Sequence, residues 1–205
     1  KMRRGMRKDS HQVIYHTGPH HDDIMLGIMP VTNRQSREAG NNLHFCVLTS
    51  GYNAVTNRFM LELLRDTLKL IGKDKIEMIH YPDFFEKGYK YKWDKDVYHY
   101  LDTIAAMDEE GKRRGVCHRL VRGMVADQKL KNQHELVSAI IQSVKILESS
   151  YDGAINPPEI QKMKALIREF EEELVWAHYG VSVKNVHHLH LGFYTGGGGP
   201  NKERD

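Results

Sequence analysis

The sequence has few cysteines, no long apolar run and no strong excess of charge of either sign. Cys46 and Cys117 are the two cysteines in 205 residues. That is too few for a disulfide framework, and a reducing, cytoplasmic setting is expected. No stretch approaches the roughly 20 apolar residues that a membrane-spanning helix requires, and the N-terminal residues lack the apolar core of a signal peptide. Neither membrane association nor export is therefore expected. Lys and Arg number 30 against 27 Asp and Glu, for a formal net charge of +3. This excess is too small and too dispersed for nucleic acid to be expected as a partner. The basic opening, residues 1–8, reads as a solvated arm. No internal repeat is found.

What remains is ordinary for a globular protein, with one exception. Hydrophobic residues make up 40% and charged residues 28%, enough for one core or for one domain with a large insertion. The exception is histidine, present 13 times and clustered. His20 and His21 stand beside Asp22 and Asp23, and His187, His188 and His190 form a second group.

Along the chain, residues 12–17 read as a short strand stopped by Gly18-Pro19. Asp22 and Asp23 suit the first turn of a helix, because carboxylates favour its positive end. Pro30 is awkward inside that helix, which is expected to be short or broken. Residues 44–49 are a nearly continuous apolar strand of the kind covered on both faces of a parallel sheet; Cys46 is accordingly expected in the core and Cys117 is taken as incidental. Strand, helix and strand make a βαβ unit. Residues 57–71 have helical spacing, 76–80 read as a further strand, and 84–93 as an aromatic, Lys-rich surface loop with Tyr89, Tyr91 and Trp93. From 97 to 149 the pattern is mainly helical, with Leu136, Ile140, Ile141, Val144 and Leu147 forming an apolar stripe. Pro157-Pro158 opens a long helix that Gly180 ends. Residues 183–191 alternate as a strand, with Val186, His188 and His190 on one side and His187 on the other. A Gly-rich tail, 196–199, follows. The expected fold is α/β, a Rossmann-like three-layer sandwich with a mainly parallel, incomplete sheet and a helical insertion at about 58–157.

The carboxyl end of a parallel strand is where open α/β sheets place ligands. His20 and Asp23, three apart at such a position, share a face if the chain turns into a helix. Imidazole nitrogen and carboxylate oxygen are a normal pair of zinc ligands, and a catalytic site keeps one position open for water. Asp22 points elsewhere and is placed to take a proton from that water. The plainer alternative is that the four residues simply cap a helix.

Pro19-His20-His21-Asp22-Asp23 resembles the Pro-His-Pro-Asp-Asp signature of the LmbE-like/PIG-L zinc de-N-acetylase family. Val47-Leu48-Thr49-Ser50-Gly51 is similar to that family's second strand and Thr-x-Gly turn. Residues 167–173 followed by Tyr179-Gly180-Val181 resemble its Arg-x-x-Glu helix ending in Leu-Gly-Val. Val186-His187-His188-Leu189 and Leu191-Gly192-Phe193-Tyr194 look like stretches of a bacterial subgroup labelled glucosamine-6-phosphate deaminase-like. The resemblance covers residues 12–57 and 160–195. It implies a single domain over 1–205, truncated on its C-terminal side, that removes an N-acetyl group from an amino sugar with Zn²⁺ or another divalent metal.

By position, the resemblance makes His20 and Asp23 metal ligands and Asp22 the general base. Arg168, Ser50, Gly51 and His21 would face the substrate; a pairing of Arg168 with Glu172 is the alternative for the arginine. The third ligand is either His190 or a residue beyond this chain. His21 replaces the family's proline and Ile24 its usual glutamate, which touches the positioning of the base. Two other classes stay open: an aldose–ketose isomerase/deaminase for glucosamine 6-phosphate, which needs no metal, and a non-catalytic binding or assembly module. An unfinished sheet edge would also offer a route to a homo-oligomer.

Overall fold

The computed structural model describes residues 10–151 and 154–191. The basic opening, the Gly-rich tail and the Gly192-Phe193-Tyr194 part of the resemblance lie outside the described residues. The chain is α/β, with 63% of the described residues helical and one small, open, three-stranded parallel sheet. It divides into two compact units. One comprises the described residues 10–51 and 171–191, and the other is Tyr52–Phe170.

The first unit is built on β1 (Val13–Gly18), β2 (Asn42–Val47) and β3 (Val186–His188), in the order β1-β2-β3. Tyr15 lies opposite His44, and Cys46 lies opposite both Thr17 and His187. Between β1 and β2 runs α1 (Asp23–Ser36). The proline ring at 30 removes an amide donor and crowds the carbonyl four residues back. Ile28 accordingly leaves helical geometry at φ −137° and ψ 21°, and the helix kinks there. The break expected from the sequence is present.

Helix residues gather on one face of the sheet. Ile24 of α1 joins Leu43, Phe45, Val181, Val186 and Trp176 in a buried cluster. The Phe45 and Trp176 rings stack at 3.7 Å and 6°, and the carboxylate of Glu172, itself buried, accepts a hydrogen bond from the Trp176 indole. Along β2 only Leu43, Phe45 and Val47 are buried, while His44 and Cys46 stay half-exposed. The expectation of a strand covered on both faces, with Cys46 in the core, is therefore corrected. Strict alternation inside an apolar run sends Cys46 to the side of Tyr15, His44 and His187. There the Tyr15 and His44 rings stack at 4.6 Å, and His44 Nδ1 lies 3.0 Å from His187 Nε2.

The second unit holds α2 (Asn57–Gly72), α3 (Trp93–Ala105), α4 (Glu109–Gln128) and α5 (Gln133–Ser149). It also holds the first part of α6 (Pro158–His178), whose last residues belong to the other unit. Thr56 caps α2 and Asn132 caps α5 through side-chain oxygens, each satisfying an otherwise orphaned amide. The core is continuous from Met60 and Leu64 through Leu120 and Met124 to Leu136, Ile140 and Ile160. Of the apolar stripe on α5, Ile141 is instead 41% exposed.

Three expectations change here. Cys117 is fully buried beside Thr67, and burial raises its thiol to about 11. Residues 76–80 are not a strand: Glu77–His80 is a 3-10 turn. Ile76 and Ile79, three apart, are both buried, and a turn of three residues places such a pair on one side. The strand expected over 183–191 shrinks to Val186–His188. A 3-10 turn, Val183–Asn185, precedes it because the Asn185 amide bonds Leu43 O and Asn42 Oδ1.

Lys164 and His118 are the buried titratable groups of the second unit whose pKa values move furthest from the ordinary range, together with Cys117. Lys164 reaches Asn57 and Asn156 at 2.7 Å each, and burial lowers its pKa. His118 on α4 is pushed down from 6.5 to about 4. Burial is the main cause, with a smaller contribution from Arg122, Arg114 and His99, and a hydrogen bond to the Lys75 backbone opposes them. Between these two pH values the unfolded chain binds the proton that the folded chain refuses, so acid favours unfolding there. Above pH 6.5 the group contributes nothing. Replacing His118 with Gln should flatten the stability–pH curve between pH 6.5 and 4 by up to about 3 kcal/mol. Urea unfolding of both proteins at several pH values measures the difference.

Candidate metal centre

All three strands run in the same direction, so their carboxyl ends lie on one edge of the sheet. β1 ends at Gly18 and β2 at Val47, and the two stay tied beyond the last paired residues. Leu48 N donates to Gly18 O, and Thr49 donates to Pro19 O from both its amide (3.0 Å) and its hydroxyl (2.8 Å). A Cβ on Gly18 would lie 2.8 Å from Ile24 Cγ1, so glycine is needed for α1 to start this close to β1. The Thr49-Ser50-Gly51 turn then lies against the segment that leaves β1. Gly51 takes φ +58°, and its Cα hydrogens face His20 Cδ2 and His21 Nδ1.

His20 and Asp23 come together as their spacing predicts. Asp23 Oδ2 accepts the His20 backbone amide at 2.8 Å and stands 3.3 Å from His20 Nδ1. Both side chains are partly exposed, at 32% and 41%. Two donors about 2.0–2.1 Å from one ion, at a tetrahedral angle, stand about 3.3–3.4 Å apart. The observed separation matches that bite. Asp22 occupies the N-cap position of α1, but its side chain makes no cap hydrogen bond. The helix-cap alternative is thus not realised in the usual way, since capping requires the side-chain oxygen on an amide of the first turn.

His21 is buried, at 3% exposure, as is Ser50 at 6%. Little of either is offered to a substrate, whereas Gly51 is half-buried. His21 instead packs against His188, with ring centroids 5.5 Å apart, and His188 Nε2 lies 3.7 Å from Glu173 Oε1 of α6. The alternating sequence pattern places His188 on a strand face but does not join it to His21 or Glu173. The parallel register of β2 and β3, which pairs Val47 with His188, was the missing information.

His190 sits past the end of β3, exposed, with φ +49°. The flanking Leu189 and Leu191 amides bond Val47 O and Leu48 O, so the left-handed residue interrupts the alternation that put His190 on the side of His188. Among the described residues no three His, Cys, Asp or Glu side chains are gathered to hold a metal ion. His20 and Asp23 thus fit two positions of such a site, and His190 does not join them. Arg168 is half-buried and falls in the second unit.

The turn at Gly51 can be probed directly. A side chain there would meet the histidines only at ordinary contact distance, so the backbone conformation dominates the cost. Gly51→Ala should destabilise the fold by about 1–2 kcal/mol, and Gly51→Asn by clearly less, because Asn tolerates this region. Chemical denaturation of both variants tests the difference, and equal stabilities would mean that the turn changes conformation.

No family model, curated protein or solved structure matches this chain.

Proposed function

We propose that the unit formed by residues 10–51 and 171–191 is part of a Rossmann-like, metal-dependent amidohydrolase that removes an N-acetyl group from an amino sugar. The observation that supports this most is the His20–Asp23 pair, held 3.3 Å apart at the carboxyl edge of a parallel sheet. In this reading the two residues hold a divalent cation, zinc being the natural choice for one imidazole and one carboxylate. Such an ion, when bound, polarises a carbonyl and brings the pKa of water toward neutrality.

The chain's own residues then divide the remaining work. Asp22 accepts the proton of the attacking water at its carboxylate and returns it to the departing amine nitrogen. Asp23, through the His20 amide, fixes the loop so that His20 presents Nδ1. His21, buried between Gly51 and His188, supports this loop from behind rather than meeting the substrate. Glu173 lies beside that second histidine. Ser50 and Gly51 border the turn, and the half-buried glycine is the more accessible to a sugar.

Acetate release from N-acetylglucosamine and its 6-phosphate tests the reading. Activity should disappear with a chelator, return with Zn²⁺ and fall at least a hundredfold in Asp22→Asn. Deamination that survives chelation would favour the isomerase class instead, and no acetate release from the folded chain would sink the proposal for this chain.

A further inference from the structure

The second unit carries a groove of about 690 Å³. It is lined by Phe85, Glu86, Tyr89, Lys90 and Trp93 from the aromatic segment, and by Val125, Ala126, Lys129, Leu130 and Lys131 from the end of α4 and the turn after it. Its size is that of a small-molecule site. Three aromatic rings and three ammonium groups (Lys90, Lys129 and Lys131) face a single carboxylate, Glu86. Lys90 sits over the Tyr89 ring at 5.6 Å. None of the three lysines has a carboxylate partner among the described residues.

Both walls are fixed in advance. Arg122, buried on α4, donates to the carbonyls of Gly88, Tyr89 and Tyr91 at 2.8–3.3 Å and meets Asp96 at 2.8 Å. Arg119, fully buried, donates to Trp93 O and packs its guanidinium 4.3 Å from the Trp93 ring centroid. The aromatic segment that reads as a surface loop is thus pinned by two buried arginines, and Phe84 anchors it in the core. On the opposite wall Glu135 accepts the Lys131 amide, and Asn132 accepts the Glu135 amide. Lys129 adopts φ +52° at the end of α4. The helix dipole accounts for a cation at Lys129, but not for Lys90 or Lys131.

We propose that this groove binds a nucleotide-class ligand, a planar base carrying one or more phosphates. The aromatic wall offers stacking planes to the base, and lysines, as mobile point charges, suit phosphate oxygens without demanding a fixed fork geometry. A rigid site loses less entropy on binding, which is the use of pinning both walls with buried arginines and caps.

Calorimetric titration of the full chain with ADP, and with inorganic pyrophosphate as the ring-free probe, tests it. ADP should bind saturably at one site, with pyrophosphate at least tenfold weaker. The Lys129→Ala/Lys131→Ala variant, altered only at exposed side chains, should bind ADP at least tenfold more weakly with an unchanged unfolding midpoint. Absence of saturable ADP binding, equal affinity for pyrophosphate, or unchanged affinity in the double variant would overturn the proposal. Binding of a hexaglutamate peptide in place of ADP would overturn it in favour of an acidic-peptide surface.

Discussion

Pro19 has no amide hydrogen to give, yet its carbonyl receives two hydrogen bonds, from the amide and the hydroxyl of Thr49. This doubly bonded carbonyl extends the β1–β2 pairing past Gly18 and Val47, where the ladder would otherwise end. Everything at the histidine cluster depends on it. It brings the segment leaving β1 against the turn leaving β2, so that His20 and His21 pack on Gly51. It also sets where α1 begins, and hence where Asp22 and Asp23 stand. Thr49 is buried, and a buried hydroxyl must bond; here it bonds where the loop needs anchoring.

The histidine cluster is costly to assemble. His21, Glu172 and Glu173 are all buried in a unit whose sheet has three strands among the described residues, and each loses hydration that its contacts must offset. The Trp176 indole on Glu172 supplies part of that compensation. In the second unit the comparable burden falls on Arg119, Arg122 and Lys164, and it is met by backbone carbonyls, the Asp96 carboxylate and asparagine side chains. The two units therefore use buried charge differently. One concentrates titratable groups at a sheet edge, and the other uses guanidinium groups to hold an irregular segment still.

Much of the first unit is legible in the sequence because its signals are local. Alternation and Gly-Pro punctuation mark β1, Pro30 marks the kink in α1, and Gly180, at φ +82°, follows the end of α6. The His20–Asp23 contact is local too, since the carboxylate of Asp23, at the first residue of α1, reaches back three residues to the amide and ring of His20. What the sequence hides is set by register or by competing short-range geometry. Cys46 reads as core until the pairing with Thr17 and His187 shows which side it takes. Ile76–His80 is apolar enough for a strand, but its buried residues follow a three-residue turn. The strand ending at 191 looks continuous until Asn185 and His190 interrupt it at either end. The joining of His21, His188 and Glu173 depends on contacts among three separate segments of the chain, which no local pattern records.

The central claim is that His20 and Asp23 hold a divalent cation, and equilibrium dialysis of the full chain against Zn²⁺, read by elemental analysis, tests it most directly. The account predicts saturable binding of one zinc per chain, weakened at least tenfold in both His20→Ala and Asp23→Ala. A folded chain that binds no zinc, or two variants that bind it as tightly as the parent, would contradict it.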